Sequence, residues 1–160
     1  LTPTEPIIVT VDADDTYPVE VFSVLIDLVR GGADIAGANR LGFGRPSTMP
    51  LANYVMNVVL SKIASVRSRC KILDVHSGQR AYRRDILHAF SWRYEFEAFP
   101  IDLIFVPATC GYTVVEVPIE YRERIGETTL QRWPSGKASI KRLTRTKKSI
   151  RGSLLIPPRG

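Results

Sequence analysis

Apolar runs and amphipathic stripes alternate along the chain, and they predict strands and helices in turn. Residues 7–11 form an apolar, β-branched run that is typical of a buried strand. In residues 18–30 apolar side chains return every three or four positions, which predicts a helix that ends at two glycines. Residues 34–38 predict the next strand, and residues 50–66 a long amphipathic helix. Alternation of this kind favours an α/β layered fold.

The second half of the chain continues the alternation with shorter elements. Pro107 is expected to bend the helix that contains it. The last predicted helix is basic and carries Ile140, Leu143 and Ile150 on one side. In chain order, the predicted elements are strand 81–82, helix 84–90, helix 101–110, strand 113–117 and helix 135–150.

Carboxylates follow the first predicted strand directly. Asp12 and Asp14 are two residues apart, so both can point to the same side of an extended segment. Open α/β sheets bind their ligands at the carboxyl ends of the strands. Two hard oxygen ligands suit Mg²⁺ or Mn²⁺, whose remaining ligands often come from substrate phosphates. Taken alone, the same pair is also compatible with an ordinary acidic turn.

Five segments in a fixed order strengthen the metal-site interpretation. Residues 11–18, Val-Asp-Ala-Asp-Asp-Thr-Tyr-Pro, resemble the metal-binding segment of family 2 glycosyltransferases with a GT-A fold. The nearest branch is similar to dolichyl-phosphate and other polyprenyl-phosphate sugar transferases. The four further segments that follow in that family's order are residues 32–40, 49–53, 74–82 and 115–127.

The resemblance implies a partial GT-A, Rossmann-like mixed sheet that is flanked by helices and lacks the first strands of the family. Residues 1–131 would form the C-terminal part of the glycosyltransferase domain, and residues 132–160 a basic amphipathic helix and tail. The family's nucleotide-binding N-terminal half has no counterpart in this sequence. The resemblance therefore implies that a longer protein, or a separate partner chain, supplies that half.

The resemblance also implies an activity, which is the metal-dependent, inverting transfer of a sugar. The donor would be a UDP- or GDP-sugar, and the acceptor a polyprenyl or dolichyl phosphate. Two alternatives stay open: transfer to a glycan hydroxyl, and a non-catalytic chain that binds a membrane or a partner. No nucleic-acid-binding motif is visible, so no nucleic-acid partner is expected.

Within that resemblance, the metal ligands would be Asp14, directly, and Asp12, through water or the donor ribose. Asp15 is expected to cap the following helix if it does not join them. Thr16 stands where dolichyl-phosphate mannosyltransferase-like sequences carry Gln, so its part in coordination is an open question.

The resemblance also implies that Arg40, Ser77 and Arg124 bind phosphate. A guanidinium fork and a hydroxyl both suit phosphate oxygens. The alternatives are solvated surface arginines and ordinary turn chemistry at Ser77. If the acceptor is a hydroxyl, Asp102 is the expected base, and the rival candidates are Glu95 and Glu97. His76 is expected to be a structural turn residue rather than a base.

Charge adds a membrane hypothesis. The chain carries a net charge of +6, and no acidic residue follows Glu127. The basic helix would bind anionic headgroups with Trp133, Ile140 and Leu143 inserted, although a nucleic-acid patch and a merely solvated helix are alternatives. No stretch is apolar enough to span a bilayer. The two cysteines, in no paired spacing, suit a reducing cytosol, so the chain is expected to be peripheral on the cytoplasmic face of a membrane.

Overall fold

A computed structural model describes residues 6–92, 99–122, 132–145 and 147–155. These residues form an α/β fold, and the predicted mixed sheet flanked by helices is confirmed. The strands are β1 (Ile7–Thr10), β2 (Ile35–Asn39), β3 (Arg80–Arg83) and β4 (Val114–Pro118). The helices are α1 (Val21–Arg30), α2 (Leu51–Ser68), α3 (Arg84–His88), α4 (Phe99–Thr109), α5 (Arg132–Leu143) and α6 (Lys147–Arg151).

The strand order in the sheet is β1-β3-β2-β4. Strand β3 runs antiparallel to both of its neighbours, whereas β2 and β4 are parallel. Thr10 and Gly37 both lie opposite Arg80, the first residue of β3. The carboxyl ends of β1, β2 and β4 therefore share one edge of the sheet, and the segment that leads into β3 arrives at the same edge.

The two faces of the sheet carry different cores. On one face Ile35 and Tyr82 join the larger core, which includes residues of α2, α4, α5 and α6. On the other face Ala36 and Ala81 lie opposite each other and pack against Leu25 of α1. Side chains alternate between the two faces of a strand, so these alanines point to the side of the sheet that α1 covers. Their small size is consistent with a close approach of α1.

Helix α1 begins later than its sequence pattern predicts but ends where expected. Pro18 forms a turn before the helix, since the Val21 N–H donates to the Pro18 carbonyl at 3.3 Å. At the other end the Gly31 N–H donates to the Asp27 carbonyl at 2.8 Å, and Gly32 adopts a φ of 111°. A positive φ is costly for residues with a β-carbon, which explains why glycine stops the helix here.

The basic C-terminal segment differs from the expectation of one helix over residues 135–150. It forms α5 and α6 instead, and Leu143 and Ile150 are both 0% exposed in the larger core. The prediction that Leu143 inserts into a membrane is therefore wrong. Ile140 is 46% exposed, and the side chain of Trp133 lies outside the described residues. Among the described helices, none combines the length and hydropathy needed to cross a bilayer.

Candidate functional site at the carboxyl edge of the sheet

Four chain segments meet at the edge where β1, β2 and β4 end. Asp12 and Asp14 follow β1, Arg40 follows β2, and Tyr121 follows β4. Gly78 lies in the segment that enters β3. The topology therefore brings together several residues that the sequence singled out separately, at the place where open sheets bind ligands.

The Asp12 side chain lies directly against Gly78. A β-carbon built on Gly78 would overlap the Asp12 carboxylate, so this approach requires glycine. The Gly78 N–H donates to the Tyr17 hydroxyl at 2.6 Å. Burial raises the pKa of Tyr17 to about 12, so its hydroxyl stays neutral. Gly78 and Tyr17 thus connect the segment before β3 to the aspartate loop.

The aspartate loop is organised by a side-chain turn. Asp14 Oδ1 accepts hydrogen bonds from the Thr16 hydroxyl at 2.6 Å and the Thr16 N–H at 3.3 Å. Asp15 adopts a φ of 59°, a conformation that aspartate tolerates better than most residues. The residue that precedes α1 as its N-cap is Glu20, so the prediction that Asp15 caps this helix is wrong.

The carboxylates of Asp12 and Asp14 could supply part of the coordination shell of a metal ion. Asp12 is exposed and Asp14 is half-buried, and both belong to one short loop. Within the described ranges, no cluster of three or more His, Cys, Asp or Glu side chains could hold a metal ion by itself. Two carboxylates fit Mg²⁺ or Mn²⁺ when a ligand phosphate and water supply the other oxygens.

Arg40 is held by a buried carboxylate. Its Nε and Nη2 donate to Asp74 at 2.7 and 2.8 Å, and its backbone N–H donates to the same carboxylate at 3.1 Å. The side chains are 10% exposed for Arg40 and 0% for Asp74. Burial alone would raise the pKa of Asp74, but the charge and hydrogen bonds of Arg40 outweigh it and lower that pKa. The guanidinium is therefore fixed in place and charged.

Two tyrosines join Arg40 to the aspartate loop. The Arg40 Cζ lies 5.4 Å from the ring centre of Tyr121, within range of a cation–π contact. The rings of Tyr121 and Tyr17 meet edge to face, with centres 5.6 Å apart. Tyr17 in turn binds Gly78 beneath Asp12. The carboxylate and the guanidinium thus belong to one connected structure.

A half-buried glutamate and a buried arginine hold the segment before β3. The Glu116 carboxylate accepts the N–H groups of Leu73 and Asp74. Arg80 is 1% exposed and donates to the Val75 carbonyl at 2.8 Å and the Pro100 carbonyl at 2.6 Å. These bonds position the backbone that carries Asp74, and through it Arg40.

Ser77 and His76 lie in the same segment. Ser77 is 1% exposed, and its hydroxyl has no hydrogen-bond partner among the described residues. The His76 ring nitrogens lie 2.7 Å from Asn57 Oδ1 on α2 and 3.1 Å from Ser139 Oγ on α5. Burial, then the charge of Arg40, lowers the pKa of His76 to about 4. These contacts are consistent with a structural role of His76, which stays a prediction.

Asp102 lies on α4 and is paired with arginines. It is 3% exposed, and its Oδ2 lies 3.0 Å from Arg142 Nη1 and 3.7 Å from Arg145 Nη1. Two guanidinium groups stabilise the ionised carboxylate, which disfavours a proton-accepting role. The assignment of Asp102 as a base stays a prediction. The remaining candidates, Arg124, Glu95 and Glu97, lie outside the described residues.

Sequence reasoning placed several supporting residues in the segments of the family resemblance and proposed a binding role for the backbone near Gly78, but it did not predict the contacts they make. These residues are Tyr17, Asp74, Gly78, Arg80, Glu116 and Tyr121. For Asp74 the sequence held one signal. No acidic residue stands between Asp34 and Asp74, so Arg40 has few possible carboxylate partners near it in the chain. The contact between Gly78 and Asp12 has no such signal, since it depends on the pairing of β1 with β3.

The fold and this edge define an α/β protein that gathers carboxylates and a fixed guanidinium where strands end, an arrangement suited to phosphate-bearing ligands. No known family model matches the chain. The chain is, however, homologous to dolichyl-phosphate hexose transferase and to polyprenyl-phosphate mannosyltransferases.

The relatives are hexosyltransferases by name. The dolichyl-phosphate hexose transferase of Haloferax volcanii is 40% identical over 138 residues, which cover 86% of this chain and 60% of that protein. The low-salt glycan biosynthesis hexosyltransferase Agl6 of the same organism is 34% identical, over 78% of this chain and 31% of the relative. The polyprenol monophosphomannose synthase of Mycolicibacterium smegmatis is 36% identical, over 74% and 46%. The chain thus spans 60% or less of the length of each of these three relatives.

Proposed function

We propose that the chain is part of a glycosyltransferase that moves a hexose from a UDP- or GDP-sugar to a polyprenyl or dolichyl phosphate, with inversion at the sugar carbon. The 40% identity to a dolichyl-phosphate hexose transferase carries this proposal. The mixed sheet would belong to a GT-A fold, and the chain spans 60% of the length of this relative. Residues 1–131 and 132–160 would be its catalytic and basic parts.

In this proposal the aspartate loop holds a divalent ion, Mg²⁺ or Mn²⁺. Asp14 would be a direct ligand, and Asp12, which lies against Gly78, would contact the ion through water or bind the donor ribose. When bound, the ion would stabilise the negative charge of a leaving diphosphate. Arg40 would add a fixed positive charge at the same edge, and the Ser77 hydroxyl a further donor. Arg124 would contribute another cation.

The state of Asp102 supports a phosphate acceptor over a sugar hydroxyl. A lipid phosphate is already an anion at neutral pH, so its oxygen needs no base before it attacks. A hydroxyl acceptor needs a proton acceptor within hydrogen-bond reach. Of the three candidate bases, Asp102 is paired with Arg142 and Arg145, and Glu95 and Glu97 lie outside the described residues.

Donor binding and transfer test the proposal together. Titration calorimetry of a full-length protein that contains this chain, with UDP- and GDP-sugars and with or without Mn²⁺, should show donor binding that depends on the metal. Transfer of labelled sugar into a lipid extract should require polyprenyl phosphate and metal. Asp14→Asn should reduce both by at least about a hundredfold, because it removes a charged ligand. The control is Asp27→Asn, an exposed acid on α1.

Each outcome separates one claim from the others. Metal-dependent transfer that survives Asp14→Asn near its original level would refute the role of Asp14. Metal-independent transfer would refute the cofactor, and transfer to glycan hydroxyls alone would refute the acceptor. Absence of donor binding and of transfer in a protein that contains this chain would support a non-catalytic subunit instead.

A further inference from the structure

A pocket of about 440 Å³ lies between α4, α5 and α6, a volume within the usual range for small-molecule sites. Helix α4 contributes Asp102 and Val106 to its lining, and the C-terminal turn of α5 and the residues after it contribute Lys141, Arg142 and Arg145. None of its described lining residues belongs to the loops after β1, β2 and β4 or to the segment that enters β3. The pocket is therefore separate from the candidate site.

The lining of this pocket carries more positive than negative charge. In the part of the chain that the structure describes, it contains the cations Lys141, Arg142 and Arg145 and one carboxylate, Asp102. The lining thus has an excess of two positive charges. No acidic residue follows Glu127, so the segment that forms α5 and α6 has no carboxylate of its own. A cleft lined by charges of one sign concentrates ligands of the opposite sign.

The two arginines of the pocket are held in place by neighbouring residues. Arg142 is 5% exposed, and its Nη1 lies 3.0 Å from Asp102 Oδ2. Arg145 Nη1 lies 3.7 Å from the same oxygen, and the Arg145 carbonyl accepts a hydrogen bond from Arg67 Nη2 at 2.9 Å. A guanidinium that is already oriented loses little side-chain freedom when a ligand binds. Asp102 therefore orients the cations but neutralises only part of their charge.

Another part of the lining is rich in hydroxyl groups. It includes Ser91, Ser149 and Ser153, together with Trp92. The Ser91 N–H donates to the Ser153 carbonyl at 2.8 Å, which ties the segment after α3 to the segment after α6. Trp92 Nε1 donates to the Leu87 carbonyl at 2.7 Å, so this side chain is also fixed. Serine hydroxyls both donate and accept hydrogen bonds, and such a lining favours a hydroxylated ligand over an acyl chain.

We propose that the pocket between α4, α5 and α6 binds a soluble phosphate monoester with a hydroxylated body, such as a hexose phosphate. The phosphate contacts Lys141, Arg142 and Arg145, and the body of the ligand contacts the serines. A phosphate monoester carries a charge of about −1.5 to −2 at neutral pH, which matches the excess charge of the lining. Guanidinium groups bind phosphate oxygens through paired hydrogen bonds. This binding does not depend on the proposed transfer reaction.

Titration calorimetry with glucose 6-phosphate and with glucose tests the proposal on a full-length protein that contains this chain. The buffer contains EDTA, so that a metal-dependent site does not contribute. Glucose 6-phosphate should bind at least about tenfold more tightly than glucose, because only the former carries the charged group. Arg145→Gln should weaken this binding at least about tenfold, and Lys141→Gln, at an exposed position, about threefold. The control is Lys148→Gln, an exposed cation of α6 outside the lining, which should change binding less than twofold.

Two comparisons identify the place and the ligand. Arg40→Met/Asp74→Leu removes both charges of the buried pair at the candidate site, and it should leave binding of glucose 6-phosphate within twofold. Dihexanoyl phosphatidic acid, below its micelle concentration, presents the same phosphate group on a lipid body. It should bind more weakly than glucose 6-phosphate, because the serine hydroxyls of the lining offer no contact to acyl chains. Circular dichroism checks that the variants are folded.

Several results would overturn the proposal. One is equal affinity for glucose and glucose 6-phosphate, and another is an equal effect of Lys141→Gln and Lys148→Gln, a comparison that holds even if Arg145→Gln fails to fold. Loss of binding in Arg40→Met/Asp74→Leu alone would place the anion at the candidate site. Tighter binding of dihexanoyl phosphatidic acid would identify a lipid headgroup instead. Binding is measured without metal or sugar donor, so its failure leaves the transfer proposal standing.

Discussion

Replacement of Asp74 by asparagine tests whether Arg40 is held by a buried charge. Asp74 accepts three hydrogen bonds from Arg40, and its side chain is 0% exposed. Asn has nearly the same shape but carries no charge and has only one acceptor oxygen. Asp74→Asn therefore leaves a guanidinium that is 10% exposed beside a neutral amide, with at least one charge-assisted bond lost.

The expected loss of unfolding free energy is about 3–5 kcal/mol, the range for breaking a buried ion pair by removal of one partner. Urea unfolding of the chain, followed by circular dichroism, measures it. The control is Asp27→Asn, which breaks the 3.3 Å pair with Arg30. Both of its side chains are at least 70% exposed, so this loss should stay below about 1 kcal/mol.

A double replacement separates the pair from its environment. Arg40→Met combined with Asp74→Leu removes both charges, so it should be at least about 2 kcal/mol less destabilising than the sum of the two single changes. If Asp74→Asn costs no more than Asp27→Asn, or if the two changes at 40 and 74 simply add, the buried pair does not stabilise the site.

The pH dependence of the unfolding free energy tests whether the pKa of Asp74 is lowered or raised in the folded protein. The folded-state pKa of Asp74 is lowered below 3.8, so its stabilising contribution is present above that value. The contribution is lost as the pH falls through the folded-state pKa. The difference between the parent chain and Asp74→Asn should therefore be constant near neutrality and shrink below about pH 4. A difference that grows in acid would contradict the lowered pKa.

Two further substitutions and one titration probe the same edge of the sheet. Gly78→Ala should displace Asp12 and weaken Mn²⁺ binding in a fluorescence or calorimetric titration about tenfold, whereas the control Gly37→Ala, whose β-carbon would meet nothing nearer than 3.4 Å, should not. His76 should titrate in NMR spectra near pH 4, and because the unfolded chain takes up this proton first, stability should fall by up to about 3 kcal/mol between pH 6.5 and 4; a midpoint near 6.5 would contradict its burial. Tyr17→Phe leaves the Gly78 N–H without its acceptor, so urea unfolding should show a loss of about 1–3 kcal/mol, and no loss would argue against that bond.

Local pattern was enough to predict most of the elements. The apolar run at residues 7–11 and the stripe of α1 contain their own signal, because strands and helices impose periods of two and 3.6 on buried positions. The boundaries shifted where a local feature intervened. Pro18 satisfies the geometry of a first turn, yet it forms a separate turn and the helix begins at Val21.

Periodicity alone could not show whether the apolar side of a helix faces the protein core or a lipid. Leu143 and Ile150 have the spacing of a membrane-facing stripe, but they complete the protein core. The exposed apolar residues Leu51, Val55 and Val59 of α2 recur every four residues, yet they lie outside the core. A pattern records only that a side avoids water, and the choice between lipid and protein depends on where neighbouring helices lie.

The chemistry of the site was only partly visible in the sequence. The aspartates and Arg40 stand at predicted strand ends, so their arrival at one edge follows from strand direction. The pairing of Arg40 with Asp74 does not follow from strand direction, because Asp74 is 34 residues away and is positioned by Glu116 from another strand. Pairings of this kind are decided by topology, which short motifs do not encode.

Strand β3 acts as a spacer. Because it lies between β1 and β2, the aspartate loop and the loop of Arg40 leave the sheet two strand widths apart, a separation of about 10 Å. The reversed direction of β3 brings Gly78 to the same edge, where its backbone lies against the Asp12 carboxylate and the Tyr17 hydroxyl. The distance between the two loops is consequently set by hydrogen-bonded strands, and a ligand that touches both loops must match a dimension that the protein cannot easily change.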